Sequence, residues 1–276
     1  MLPIPRSAMT LENVYADPER ASAYARLDFP GTYYLAYRDL PELLARHASG
    51  QRALDFGCGT GRSTRFLEAL GFQAVGVDVA EEMVRHARAR DPQGDYRVIG
   101  PGSLRRLPPS AWDLVLSAFT FDNVPQVSKP ALMRDLAALL APRGLFVNLV
   151  SAPEIYRREW ASFSTRAFPE NRAAKSGDLV RIVITDTSDP RPVEDVLCTD
   201  ADYRALYEQA GLELVATHRP LGRPDERYPW VNETHISPWV IYRLRQASQP
   251  PSSAPEVHRG GFGDSPSTPP ARPGLP

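Results

Sequence analysis

ALDFGCGTGRST, residues 53 to 64, decides how this 276-residue chain folds. An apolar run ends in Asp55-Phe56, glycines follow at 57, 59 and 61, and Arg62-Ser63-Thr64 begins a new pattern. The spacing predicts a short buried strand, a tight turn over residues 57–61 and a helix over 63–70, stopped by Gly71. Glycine lets the turn adopt positive φ and lets a ligand approach the backbone without meeting a Cβ. The helix after the turn aims its free N–H groups and partial positive charge back at it, which suits an anionic group such as a carboxylate.

Outward from the turn, the chain alternates strand and helix. QAVGVDV (73–79) reads as a second strand, residues 81–90 as a helix ended by Asp91-Pro92, and DYRVIG (95–100) as a third strand. WDLVLSAF (112–119) is a fourth, a helix over 130–140 stops at Pro142-Arg143-Gly144, and LFVNLVS (145–151) is a fifth. This order predicts an α/β, doubly wound Rossmann-like sheet with helices on both faces. Neighbouring parallel strands end on the same side, so Asp78 stands beside the glycine turn, where a carboxylate accepts hydrogen bonds from ribose hydroxyls. A nicotinamide dinucleotide site would space its glycines G-x-G-x-x-G. Here the third comes one residue too soon, and Arg62 stands in the place of glycine.

The flanks differ from this rhythm. Residues 10–48 read as helical with dense aromatics, divided into two helices by Phe29-Pro30-Gly31; Leu40, Leu43, Leu44 and His47 mark a packed face. Residues 151–200 read as an insertion: a helix over 156–163, then LVRIVIT and VEDVLC as a β-hairpin over the sheet's ligand edge. Residues 201–210 are helical, and LELVATHRPL and WVIYRLRQ are strands that close the sheet. The expected organisation is an N-terminal helical lid over 1–48, a core over 49–247 with 151–200 as a substrate cap, and a disordered Pro/Ser/Gly-rich tail over 248–276.

Composition narrows the class. Apolar residues are 42%, charged residues 24% and the formal net charge is −1, so no global basic field draws in nucleic acid or anionic lipid. Two cysteines make neither a disulfide framework nor a zinc site, and no metal is expected. No stretch has the length of a signal peptide's apolar run or a membrane span, which points to the cytoplasm. The oligomeric state is left open.

ALDFGCGTGRST, VGVDVAEEMV, WDLVLSAFTFDNV and PRGLFVNLV, in this order, resemble the class I S-adenosylmethionine-dependent methyltransferases of small-molecule type. The likeness is close over residues 50–150 and looser to 246, where CTDADYRALYEQAGLELV resembles the family's late helix and strand. It implies a seven-stranded sheet, mostly parallel, with the last strand inserted antiparallel, and S-adenosyl-L-methionine as cofactor. Asp55, Gly57, Cys58, Gly59 and Gly61 would then surround the methionine moiety, and Asp78 the ribose, with Val79 and Met83 beside the adenine. An acid that the family places after the third strand is missing from IGPGSLRRL, where Pro101 stands, so the backbone of Gly102, Ser103 and Leu104 would serve the adenine. Ser117, Ala118 and Phe119 would line the pocket below the sulfonium.

Methyl transfer needs nucleophile, methyl carbon and sulfur in line, and a general base only when the acceptor must lose a proton. Candidate bases are Asp122, which as a turn residue or cap would be structural, and His235 in WVNETHISPW. His218 reads as packed at a strand edge, and His47 and His86 as helix surface. Cys58 has a place at a helix N-terminus, where thiols are activated, but its small size explains it more simply. Tyr15, Tyr24, Tyr33, Tyr34, Trp160 and Trp230 are candidates to contact a small, partly aromatic acceptor, against the alternative that half or more fill a core. Other functions remain to be weighed: a non-catalytic cofactor-binding regulator, and a protein or nucleic-acid methyltransferase. Ser117-Ala118-Phe119-Thr120 does not match the Asn/Asp-Pro-Pro-aromatic word of the enzymes that methylate DNA amino groups.

Overall fold

Strands β1 (Arg52–Phe56), β2 (Gln73–Asp78), β3 (Asp95–Val98), β4 (Trp112–Ala118) and β5 (Leu140–Ser151) pair in parallel in the order β3-β2-β1-β4-β5. The structure is a computed structural model that describes residues 17–27, 30–45, 50–100 and 102–247. Tyr15, Phe29, His47, Pro101 and the tail over 248–276 lie outside the described residues.

Beyond β5 the sheet continues through β10 (Trp239–Gln246) to β9 (Leu212–His218), and β10 is antiparallel to both neighbours. Seven strands with one inserted antiparallel match the arrangement that the motifs imply. The reversal of strand order between β1 and β4 opens a crevice at their carboxyl ends. That is where the glycine turn lies.

Pleating distributes the core. On β4, Leu114 and Leu116 face one cluster and Val115 the other; on β5, Leu145, Val147 and Leu149 oppose Phe146 and Val150. The first face is covered by α2 (Gly31–Arg38), α3 (Leu40–Ala45) and α4 (Arg62–Ala69), through Leu35, Leu40, Leu44 and Leu67. The second is covered by α6 (Lys129–Leu139) and α7 (Asp200–Gln209), through Met133, Leu136, Tyr203 and Leu206. Both faces are apolar, as a doubly wound parallel sheet requires.

Helix α1 (Pro18–Ala25) starts at Asp17, whose carboxylate accepts the Arg20 amide at 2.9 Å, with Pro18 in the first turn. Its Ala21 packs on Ala80 and Met83, at the start of α5 (Glu81–Arg90). The segment after β5 forms a second, three-stranded antiparallel sheet, in the order β6 (Phe163–Ser164), β7 (Leu179–Ile184), β8 (Val193–Val196). The expected hairpin is its β7–β8 pair, and Ile182, Ile184 and Val193 pack in the first core.

Three local expectations are corrected. The helix expected over 156–163 is a 3-10 turn at Pro153–Arg157 followed by β6. Trp160 breaks it: its indole N–H donates to the Ile155 carbonyl at 2.9 Å, and its amide to that of Phe163 at 2.9 Å, folding the chain back. The two amino-terminal helices are three, because the chain bends at Asp39 and restarts before Pro41, which suits a first helical turn. Helix α6 ends at Leu139, and Pro142 to Gly144 form a bulge in β5, where a Cβ on Gly144 would lie 2.7 Å from the Trp112 carbonyl.

Candidate active site

The glycine turn is left-handed at three points: φ is +76° at Gly57, +53° at Gly59 and +76° at Gly61. At Gly57 a Cβ would stand 2.1 Å from the Thr120 hydroxyl, which itself donates to the Phe56 carbonyl at 2.9 Å. Gly57 therefore lets the loop after β4 close on the end of β1. Around Gly59 a Cβ would meet only Met83 Cε at 3.2 Å, so this glycine forms the open side of the cradle.

Two carboxylates hold the turn. Asp55, fully buried, receives the hydroxyls of Ser63 and Thr64 on one oxygen, both at 2.6 Å, while Oδ1 is buried without a hydrogen-bond partner. Burial pushes this carboxyl up to about 6, against the two hydroxyls. Asp78 accepts the Gly59 amide and the Ala80 amide, each at 2.8 Å, which binds the first crossover loop to the second. Burial raises Asp78 as well, and the backbone amides act against it. Each of its oxygens keeps a second lone pair for a hydroxyl.

These features fit the expected cofactor. The first turn of α4 offers the unpaired amides of a helix start, the orphaned Asp55 oxygen suits an ammonium group, and Asp78 suits a ribose. Val79 is 57% exposed beside it. Met83 is buried beneath Ala21 of α1. Gly102, with φ +74°, has no atom within 4 Å of where a Cβ would stand; Ser103 begins a 3-10 turn there, and the Leu104 side chain is directed into the second core. Arg62 reaches across the crevice mouth: its guanidinium donates to the Leu27 carbonyl and lies over the rings of Tyr24 and Tyr33, at 5.3 and 5.8 Å. Cys58 is buried and its thiol is pushed upward by that burial, which removes it as a nucleophile and agrees with a choice made for size.

At the end of β4, Ser117 is buried with an unpartnered hydroxyl on the face shared with Val115, and Ala118 is half-buried. Phe119 takes φ +62°, rare for a side chain of this size. The twist turns its ring toward Trp239 (4.7 Å) and Tyr33 (5.7 Å). Together with Tyr24 and Phe163 they wall a cavity of about 50 Å³ under the hairpin.

Polar groups enter this aromatic cavity from one side. Asp122, in the 3-10 turn Phe121–Asn123, is buried and accepts the Ser151 amide at 3.0 Å and hydroxyl at 2.9 Å, both on Oδ2. Asp195, from β8, accepts the Tyr156 hydroxyl at 2.9 Å. Burial raises Asp122 to about 7, reinforced by the charge of Asp195; burial also raises Asp195, opposed by Tyr156 and Lys129. Lys129 stands behind them, fully buried, its ammonium 5.4 Å from the Tyr203 ring centre.

Of the residues selected from the sequence, the fold brings Tyr24, Tyr33, Phe119 and Asp122 to one cavity. His235 is exposed, with Nδ1 2.7 Å from the Thr234 hydroxyl, and lines none of the described cavities. It is not placed to take a proton there. Trp160 fills the first core, Tyr34 packs on Tyr228, and Trp230 covers Gly222. His218 is a strand residue paired with Asp39 at 2.7 Å, and His86 meets the Ser22 hydroxyl at 3.3 Å. Trp239, Tyr156, Ser151 and Asp195 were not selected. The run VEDVLC holds two acids, Glu194 and Asp195, and strand alternation sets Asp195 on the side of Val193, the one signal for it.

Comparison with known proteins agrees with this geometry. A family model described as a methyltransferase domain matches residues 31–217, about two-thirds of the chain. The ubiquinone biosynthesis O-methyltransferase of Paramagnetospirillum magneticum is 35% identical over 127 residues, 45% of this chain and 49% of that protein. Its counterpart in Bordetella pertussis is 32% identical over 100 residues, 35% of this chain and 41% of that one. The chain thus spans about half the length of the curated relatives it matches. Among solved structures, the CcbJ methyltransferase of Streptomyces caelestis superposes with a TM-score of 0.56 at 20% identity, over 80% of this chain and 100% of that one. A Listeria monocytogenes protein described as a putative S-adenosylmethionine-dependent methyltransferase gives 0.57 at 15% identity, over 77% and 97%. At such identities these two carry the fold alone.

Proposed function

The chain belongs to the methyltransferase domain family, and on that footing we propose that it transfers the methyl group of S-adenosylmethionine to a small, partly aromatic molecule. When bound, the cofactor supplies a methyl carbon activated by a sulfonium. Gly57, Gly59, Gly61 and the first turn of α4 hold its amino-acid end, Asp55 its ammonium, Asp78 its ribose, and Val79, Met83 and the backbone at Gly102 to Leu104 its adenine.

The observation that carries the proposal is a buried carboxylate, Asp122, in an aromatic cavity walled in part by Phe119, whose neighbour Thr120 donates to the Phe56 carbonyl at the start of the glycine turn. Tyr24, Tyr33, Phe119, Phe163 and Trp239 exclude water and orient the acceptor along the line of attack. Asp122 Oδ2 takes the two shorter Ser151 bonds and Oδ1 only the longer share of the Ser151 amide, at 3.3 Å, so Oδ1 keeps a lone pair to take the proton of an oxygen, nitrogen or carbon nucleophile. Its raised pKa matches a base that works near neutrality. No helix among the described residues is long and apolar enough to cross a membrane, and a cytoplasmic setting belongs to the same proposal.

The test is turnover by the full chain with S-adenosylmethionine and a panel of phenols, catechols and arylamines, read as S-adenosylhomocysteine and methylated product by mass spectrometry. At least one acceptor is expected to give both in equal amounts. Asp122→Asn should then lower kcat by roughly 10²- to 10⁴-fold with cofactor affinity retained. Undiminished turnover in that variant would remove Asp122 from the chemistry.

A further inference from the structure

A cavity of about 390 Å³ lies apart from the aromatic one. The two share only Tyr156. Arg157, Arg158, Arg166 and Arg172 line it against a single carboxylate, Glu159. That carboxylate is engaged by the protein, accepting the Thr165 amide and the Ser164 hydroxyl, each at 2.9 Å, and lying 3.6 Å from Arg166. Arg157 reaches only the Ala174 carbonyl, at 3.4 Å, and no ion pair joins Arg158 or Arg172 to another described residue.

The backbone under these arginines is pinned. Thr165 donates its hydroxyl to the Arg158 carbonyl at 3.0 Å, and Asn232 its amide group to the Glu159 carbonyl at 2.9 Å. Asn171, itself 2% exposed, donates to the carbonyls of Tyr156 at 3.0 Å and Arg181 at 2.7 Å, fixing the turn that carries Arg172. Four exposed arginines therefore rise from pinned backbone around one concavity, with Glu159 the one acid that lines it. Arg38, by contrast, is matched by Asp39 and Glu226, and Arg181 by Glu194.

We propose that this cavity is a binding site, separate from the methyl-transfer pocket, for a small molecule bearing a phosphate group or paired carboxylates. Guanidinium forks match the geometry of both oxyanions and bind them with two parallel hydrogen bonds. The volume lies within the roughly 300–1,000 Å³ typical of small-molecule sites. A chain of net charge −1 has no global basic field to hold a polymer, and a hollow of this volume is of small-molecule size.

The test is calorimetric titration of the full chain with inorganic pyrophosphate and, separately, with citrate. One saturable site is expected for at least one probe, weakening with added salt, and the stronger probe assigns phosphate or carboxylate chemistry. The double variant Arg158→Ala/Arg172→Ala should weaken binding roughly tenfold or more, whereas Arg105→Ala, on a different surface, should leave it unchanged. Melting temperature and S-adenosylmethionine affinity report that the double variant is folded, and Arg172→Glu serves as an independent second variant. No saturable heat from either probe, unweakened binding in the variants, or displacement of the probe by a single-stranded oligonucleotide would each overturn the proposal.

Discussion

Asp55 has one oxygen bound by two hydroxyls and one bound by nothing, in a place where burial raises its carboxyl to about 6. An ammonium beside the free oxygen favours the ionised form, so cofactor affinity should rise with pH up to about 6 and then level off. Titrations between about pH 5 and 8 measure this, and a flat profile would separate Asp55 from the ligand. Asp122 gives a second pH signature of opposite sense for stability. Burial and the charge of Asp195 raise its carboxyl in the fold above the unfolded 3.8, so the folded chain holds an extra proton between the two values. Stability is therefore fullest below that window and declines as pH rises through it. Asp122→Asn removes this penalty, and its melting temperature at pH 8 should equal or exceed that of the wild type while its turnover collapses. A lower melting temperature would mean that Asp122 is there to stabilise the fold.

Among elements, the core strands and helices were legible because each carries its own signal: apolar runs of strand length, glycine at the turns, proline at the stops. Asp78 was legible for the same reason, since parallel neighbours end together. The cap was not. Trp160 overrides helical spacing through two hydrogen bonds to residues it only meets in the folded chain, and Asp195 reaches Tyr156 across 39 positions of sequence. The relation of the β7–β8 hairpin to α1 likewise lies in contacts between distant segments. Arg20 stands 3.3 Å from Asp189 and donates to the Pro192 carbonyl at 3.1 Å, while Arg191 pairs with Asp17 at 3.0 Å. These bonds tie α1 to the tip of the β7–β8 hairpin, above a cavity whose 50 Å³ holds little more than a water or two. An acceptor larger than that volume enters only when this latch opens. Asp189→Ala should lower the acceptor's KM severalfold or speed its binding, with cofactor affinity unchanged. An unaltered KM and association rate would leave the latch without a part in admission.

For the molecule as a whole, one buried carboxylate joins parts that the chain separates widely. Glu233, fully buried, accepts the Thr32 hydroxyl at 2.6 Å, the Ala161 amide at 2.7 Å and the amides of Val231 and Asn232 at 2.8 and 3.0 Å. It binds α2, the turn before β6 and the loop before β10 together. Glu233→Ala leaves four donors unsatisfied and should reduce unfolding free energy by several kcal/mol, at about 1–3 kcal/mol for each buried group left bare; a loss under about 1 kcal/mol would mean that water replaces it. The cofactor half of the molecule tests the identification most directly. Titrating S-adenosylmethionine into the full chain, wild type and Asp78→Ala, should give one site per chain in the first and an affinity at least roughly tenfold weaker in the second. Absence of binding to the wild type, or equal affinity in the two, would contradict the assignment of the glycine turn and its neighbouring acid to that cofactor.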